Sequence, residues 1–357
     1  MKSFTANVLQ RALVAGGMLL SSVVSFGQLA PPPATPDASA PPAQRPNVSS
    51  SDLFPKPVED YTTPALDVTL KQASLDGVQM ELDNDPAFTR SITRVQWRVG
   101  DPIDLYVIKP AGIKRPKFVV YLLDYPVEPD LYRNREFCQQ LVKNGVAAVG
   151  FAPALTGQRY HDRPMKEWFV SEMQEALATT AHDVQMVISY VGLHEDLDTN
   201  GVALYGEGSG ATVAILAAAV DPRVQTLDLF DPWGDWPEWV ATSTRIPEKE
   251  RPSFLKPEYL EKVAFLDPVK WLPQLKVRNI RLQNVRNSGE TPAAVQKKIE
   301  AAAPTGTELK VYENTEAFLA AVPKDQRFTW VKEHTRAKRS ENYRAQNSAK
   351  ATENAKR

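Results

Sequence analysis

Gly201 to Val220 reads GVALYGEGSGATVAILAAAV. Val202 to Tyr205 is an apolar run of strand length, and Ala211 to Ala219 is alanine-rich in the manner of a buried helix. Only Gly206-Glu207-Gly208-Ser209-Gly210 separates them. A strand that becomes a helix within so few residues needs unusual backbone angles and a close approach of main chains. Side chains obstruct both, and three glycines supply both.

Working outward, Phe118 to Leu123 and Val146 to Phe151 are two more short apolar runs. Between them a helical stripe of Phe137, Cys138, Leu141 and Val142 spans Arg135 to Asn144 and stops at Gly145. From Ser171 to Gly192, Met173, Leu177, Ala181, Val184, Ile188 and Val191 recur every three or four residues, as one helix face laid on a sheet requires. Strands are expected downstream over Val224 to Phe230, Asn279 to Val285 and Leu309 to Tyr312, with a helix that opens at Thr291-Pro292 and carries Val295 and Ile299. Ile92 to Val99 and Ile103 to Ile108, joined through Gly100-Asp101-Pro102, read as an antiparallel pair. The alternation predicts an α/β domain over residues 59–332: a mostly parallel sheet with helices on both faces and an antiparallel N-terminal strand pair.

On these residues the chain resembles the α/β-hydrolase fold family, in particular its dienelactone-hydrolase-like and prolyl-oligopeptidase-like branches, over Ile92 to Pro323. Members carry their nucleophile on a small-x-nucleophile-x-small turn between strand and helix. With Gly206 and Gly210 on the small positions, the nucleophile position falls on Gly208, which has no attacking atom. Ser209 falls where the family supplies an oxyanion-binding N–H. Aligned on Thr291-Pro292, the family's acid position falls on Ser288, and its histidine position, past the last strand, falls on Glu316. The family's glycine-rich oxyanion segment is replaced by Leu123-Asp124-Tyr125-Pro126. The four histidines, His161, His182, His194 and His334, all lie off the family's position. The resemblance therefore implies a member that keeps the fold, lacks ordinary Ser-His-Asp hydrolysis of esters or peptides, and binds a ligand or partner.

Two other chemistries compete. An off-register hydrolase would use Ser209 with a base from the loop that carries His161. Gly206 to Ala211 also fits G-x-G-x-x-G/A, with Asp228 spaced to hold a ribose hydroxyl, as in a dinucleotide site. For a binding role the candidate residues are Gly206, Glu207 and Ser209 at the turn, with Trp233, Asp235 and Trp236 in the run Asp231 to Trp239. There, indole rings and carboxylates follow the carboxyl end of a strand, a composition suited to a sugar or an aromatic ligand. His182 and His194 read as solvent-facing, His334 as part of the tail, and Cys138 as a small buried hydrophobe. No metal-ligand spacing occurs and no cofactor is implied.

The ends read differently from the middle. Lys2 and Arg11 flank the start of an apolar run, Ala12 to Val24, followed by Ser25-Phe26-Gly27, which predicts a Sec-type signal peptide over 1–27 and a periplasmic or extracellular location. The run is too short to span a bilayer, so no integral membrane span is expected in the mature chain. Gln28 to Ser50 holds seven prolines and almost no large apolar side chain, so 28–58 is expected to be a disordered linker. Residues 333–357 read as a basic, disordered tail. Overall, 42 Lys and Arg face 43 Asp and Glu, which leaves no global cationic field for nucleic acid, and one cysteine excludes an internal disulfide.

Overall fold

The computed structural model describes residues 76–98, 101–125, 129–156, 159, 170–286 and 288–335. The expected leader 1–27, the linker 28–58 and the tail beyond Thr335 lie outside these residues, as does His161.

Nine strands form one sheet: β1 (Val78–Asn84), β2 (Phe88–Arg98), β3 (Asp101–Pro110), β4 (Lys117–Leu122), β5 (Ala147–Phe151), β6 (Asp198–Glu207), β7 (Val224–Phe230), β8 (Asn279–Val285) and β9 (Glu308–Tyr312). Their spatial order is β1-β2-β3-β5-β4-β6-β7-β8-β9. The pairings β1/β2, β2/β3 and β3/β5 are antiparallel, and every pairing from β5 to β9 is parallel. The expected antiparallel pair is β2 with β3, Ile92 opposite Tyr106 and Val95 opposite Ile103. β1 was not expected: Val78, Met80 and Leu82 alternate with polar residues, yet all three are exposed on this edge strand. β5 is buried along its whole length and the last five residues of β4 are buried too, which is why both read as unbroken apolar runs.

Around the sheet lie α1 (Arg135–Val142), α2 (Met173–His194), α3 (Ser209–Val220), α4 (Trp236–Thr242), α5 (Arg251–Phe254), α6 (Pro257–Val263), α7 (Pro268–Trp271), α8 (Ala293–Ala302), α9 (Thr315–Ala321) and α10 (Thr329–Thr335). The stripe of α2 packs with α3 and with Val295 and Ile299 of α8 in one apolar core. A second core joins Cys138 and Leu141 of α1 and Trp330 and Val331 of α10 to Tyr106, Tyr121 and Tyr205 of the sheet. Asn134 caps α1 by accepting from the Phe137 N–H at 2.9 Å, and Gly145 follows its end at φ +73°. No helix among the described residues is long and apolar enough to cross a membrane.

Two histidines sit differently from expectation. His182 is buried, not solvent-facing, because α2 packs against α6 as well as α3, so more than one of its faces is covered. His334 belongs to the fold rather than to the tail: α10 continues to Thr335, and the imidazole stacks on Trp330 at 4.2 Å. His194, exposed at the end of α2, stacks on Tyr190 at 4.3 Å.

A buried ion cluster ties the β2/β3 hairpin to α2. Asp183, fully buried, accepts from Trp97 Nε1 at 2.9 Å, from Arg98, and from Arg159 Nη1 at 2.7 Å. Arg159 in turn grips Asp101 through two nitrogens at 2.9 and 2.6 Å. Burial alone would push the Asp183 carboxyl up, but the two guanidiniums and the indole N–H hold it below the usual carboxylate value.

From β4 the chain crosses by α1 to β5 on one side, and α2 carries it back to β6 on the other. The strand order therefore reverses between β4 and β6. Past their carboxyl ends opens the crevice where open α/β sheets place their ligands.

Candidate functional site

The turn after β6 enters this crevice. Gly208, at φ +54° and ψ −117°, links β6 to α3, and its N–H donates to Phe230 O of β7 at 2.9 Å. The flanking glycines are sterically required. A Cβ on Gly206 would stand 2.5 Å from Gly210 O, and one on Gly210 would stand 2.2 Å from Leu122 O. Gly208 differs, because its missing Cβ would meet a side chain, Asp124 Oδ1 at 2.4 Å.

Asp124 follows β4, and its carboxylate lies over the Gly208 Cα. Oδ1 accepts from Ser209 N at 3.0 Å, from Tyr125 N at 2.8 Å and from Ser209 Oγ at 3.0 Å. Two main-chain N–H groups converging on one oxygen, one of them from the residue after the elbow, are the elements of an oxyanion hole. Here the oxygen belongs to the chain itself. Oδ2 is bonded by Arg245, which also donates to Glu290 Oε2 at 2.6 Å and to Tyr125 O at 3.2 Å and lies 5.2 Å from the Trp233 ring centre. Burial pushes the Asp124 carboxyl up to about 6. Arg245 and the Ser209 N–H oppose that rise, and the nearby Glu290 charge adds to it. Beside Ser209 and Gly210, walled by Leu122, Tyr125, Phe151, Leu177 and Thr180, a cavity of about 10 Å³ remains. That is room for one water and nothing larger.

Ser209 is itself buried, at 4% exposure. Its Oγ donates to Asp124 Oδ1 and accepts from Tyr125 N at 2.9 Å, so its contacts are a carboxylate and an amide rather than an imidazole.

Ser288 and Glu316 come together at a different place. Both line an open cleft of about 460 Å³ past the carboxyl ends of β7 and β8, with Phe230, Asp231, Arg286, Glu290 and Asn314. Neither Gly208 nor Ser209 borders it. Ser288 Oγ accepts from Thr291 N at 3.2 Å, and Glu316 is exposed in the first turn of α9. Asp231, at φ +46°, accepts from Val285 N at 3.1 Å and Gln296 Nε2 at 3.2 Å, and burial raises its carboxyl to about 6. Sequence reasoning gives no role to Asp124, Arg245 and Glu290, and reads Asp231 only as one carboxylate of the run Asp231 to Trp239. The signal for Asp124 is its position, in the segment where α/β-hydrolases carry a glycine-rich oxyanion loop.

The other candidate residues are structural in this conformation. Trp233, Trp236 and Trp239 are core, at most 1% exposed, Trp233 and Trp239 stacked at 4.8 Å, so no indole face is open to a ligand. Asp235 is paired with Lys298 at 2.5 Å. Glu207 turns into the second core, accepting from the hydroxyls of Tyr121 and Tyr205, both at 3.0 Å, with Arg327 at 3.5 Å. Asp228 is not placed for a ribose: it is fully buried within the sheet and bonded by Arg281 at 2.9 and 2.6 Å and by Gln283 at 2.7 Å. The Ser209 N–H, which a pyrophosphate at the helix N-terminus would need, is taken by Asp124. Cys138 is buried, its thiol against Tyr132 O at 3.1 Å. Among the described residues no group of three or more His, Cys, Asp or Glu is disposed to hold a metal ion.

No family model matches the chain, and no curated protein matches it in sequence. Solved structures do. Acetyl xylan esterase 1 from a Thermoanaerobacterium species matches with TM-score 0.55 and 14% identity, over 67% of this chain and 82% of that one. An S-formylglutathione hydrolase from Agrobacterium tumefaciens matches with TM-score 0.54 and 13% identity, over 72% of this chain and 99% of that one. An acetyl xylan esterase from a Paenibacillus species matches with TM-score 0.53 and 16% identity, over 68% of this chain and 83% of that one. At these identities the likeness speaks for architecture and not for activity. Together with the mostly parallel nine-stranded sheet, its antiparallel N-terminal strands and the glycine-flanked turn between β6 and α3, it shows that this chain has the α/β-hydrolase fold.

Proposed function

We propose that this is an exported α/β-hydrolase-fold protein that does not hydrolyse esters or peptides and that acts by binding a ligand or partner. The reading rests on one observation above the rest: the Asp124 carboxylate fills the oxyanion site over a Gly208 that has neither an attacking atom nor room for one. A hydrolase draws most of its rate from nucleophile, base and oxyanion hole, and with the hole closed and the nucleophile gone little acceleration is left. Binding then falls to the cleft of about 460 Å³ that holds Ser288 and Glu316. Export is supported by the charged, apolar and small-residue order of residues 1–27. The balance of 42 basic against 43 acidic residues speaks against a nucleic-acid partner.

One contact favours a second reading, an active hydrolase built on Ser209. Its hydroxyl donates to Asp124 at 3.0 Å, and a carboxyl near 6 lies in the range of a general base. Against it stand the burial of Ser209 and the adjoining cavity of only about 10 Å³. Incubating the purified protein with a fluorophosphonate probe separates the two. No labelling is expected. Labelling that Ser209→Ala abolishes would establish the second reading and end the first.

A further inference from the structure

Three aspartates with arginine partners, Asp183, Asp228 and Asp124, fall into two kinds. Asp183 and Asp228 sit inside packed elements, one within α2 and one within β7, and join parts of the core. Asp124 sits at the carboxyl end of β4, at the reversal of strand order, and its carboxylate joins nothing that a carboxylate from outside could not join equally well. Its partners are Ser209 N, Tyr125 N and Ser209 Oγ on one oxygen and Arg245 on the other. α3, whose first N–H groups point this way, is 12 residues long, enough to add its dipole. Arg245 holds a donor in reserve: its Nε is sealed from water and has no hydrogen-bond partner. Gly208 completes the receptacle, since any side chain there would occupy the carboxylate's place.

We propose that the crevice over Gly208 is a carboxylate-binding site that the chain keeps occupied with its own Asp124, and that a carboxylate-bearing ligand enters only by exchange with that side chain. The proposal rests on the reading of the elbow as non-hydrolytic. A tethered carboxylate acts at high effective concentration, so the intact protein resists small free carboxylates. The ligand that succeeds must therefore make further contacts near the crevice mouth, where Glu290 is exposed and Arg245 only partly buried.

Asp124→Gly deletes a methylene carboxylate, and acetate is that fragment with one added hydrogen. The full chain, its Asp124→Gly variant and the Asp124→Gly/Arg245→Met variant are titrated with sodium acetate at constant ionic strength made up with chloride, reading melting temperature and the line width of the carbon-13-labelled acetate carboxyl signal. Expected is a saturable rise in melting temperature with line broadening in Asp124→Gly alone. In the double variant the apparent affinity should fall at least about tenfold, as loss of a charge-assisted pair requires. No saturable response in Asp124→Gly, an equal response in the intact chain, or a response indifferent to Arg245→Met would overturn the proposal. If Asp124→Gly is recovered only unfolded, refolding it in acetate and in chloride gives the same decision: recovery specific to acetate upholds the site, and no difference removes it. Failure here leaves the fluorophosphonate result untouched, and labelling of Ser209 would fell the parent reading whatever acetate does.

Discussion

Asp183 is fully buried and Asp124 largely so, both are bonded to arginine, and their carboxyls shift in opposite directions. Asp183 has two guanidiniums and an indole N–H, and its carboxyl is held below the ordinary value of 3.8. Asp124 shares one guanidinium with Glu290, and its carboxyl is pushed up to about 6. Burial penalises both. What differs is the charge around them, two guanidiniums at Asp183 against one guanidinium and the Glu290 carboxylate at Asp124, and their place: Asp183 clamps elements together from within α2, whereas Asp124, past the end of β4, is retained but replaceable. The second is where a binding function would reside.

The largest test of that contrast is deletion. Asp183→Ala removes one of the two anions, Asp183 and Asp101, that Arg98 and Arg159 share, and should cost about 3–5 kcal/mol in chemical denaturation, the range for breaking a buried ion pair. Asp124→Ala should cost only about 1–2 kcal/mol, because Arg245 keeps Glu290 and Tyr125 O. Equal costs would dissolve the distinction.

Next in size is the coupling of Gly208 to Asp124. Gly208→Ala places a Cβ 2.4 Å from Asp124 Oδ1 on a backbone at φ +54° and should destabilise by about 3 kcal/mol from strain and overlap together. In an Asp124→Gly background the overlap is gone, and the same substitution should cost at least about 1 kcal/mol less. A double-mutant cycle that closes additively would mean the two positions do not compensate each other.

Along the pH axis the contrast becomes one of sign, and the shift expected from Glu290→Gln is the smallest effect of all. Asp124, raised in the fold from 3.8 to about 6, contributes stability that is fully present below 3.8 and is lost as pH rises through about 6. The full span is about 3 kcal/mol at 1.36 kcal/mol per unit. Asp183, lowered in the fold, contributes stability that is present above 3.8 and is lost as pH falls through its depressed value. Asp124→Asn should therefore flatten the stability profile between pH about 4 and about 6, apart from a like contribution from Asp231. Glu290→Gln removes a nearby negative charge and should move the Asp124 titration down by a few tenths of a unit. A carboxyl carbon-13 titration that does not move, or moves up, would contradict the arrangement.

Much of the fold was legible because it is written in local patterns. β7 and β8 have the bounds that their apolar runs suggested, and the stripe of α2 faces the core as its spacing required. β1 escaped because alternation without a buried face marks no strand. His182 escaped because a helix packed on two sides has no single polar face. At the site, Gly208, Ser288 and Glu316 were found by position, whereas the Trp233 and Trp236 rings expected at a ligand were found packed in the core. The sequence could show that no hydroxyl stands at position 208. It could not show what stood in its place.

By itself, then, the sequence determined the alternation of strands and major helices from β2 to β9, the need for small residues at Gly206 and Gly210, and the absence of an attacking side chain at Gly208. These follow from residue type and spacing within a few positions of one another. Tertiary structure alone decided that Asp124 fills the site, because it meets Ser209 across 85 residues and Arg245 across 121. No local pattern encodes such a meeting. It arises only when parallel pairing brings the carboxyl ends of β4 and β6 side by side and buries a carboxylate against two N–H groups that each belong to a different strand's end.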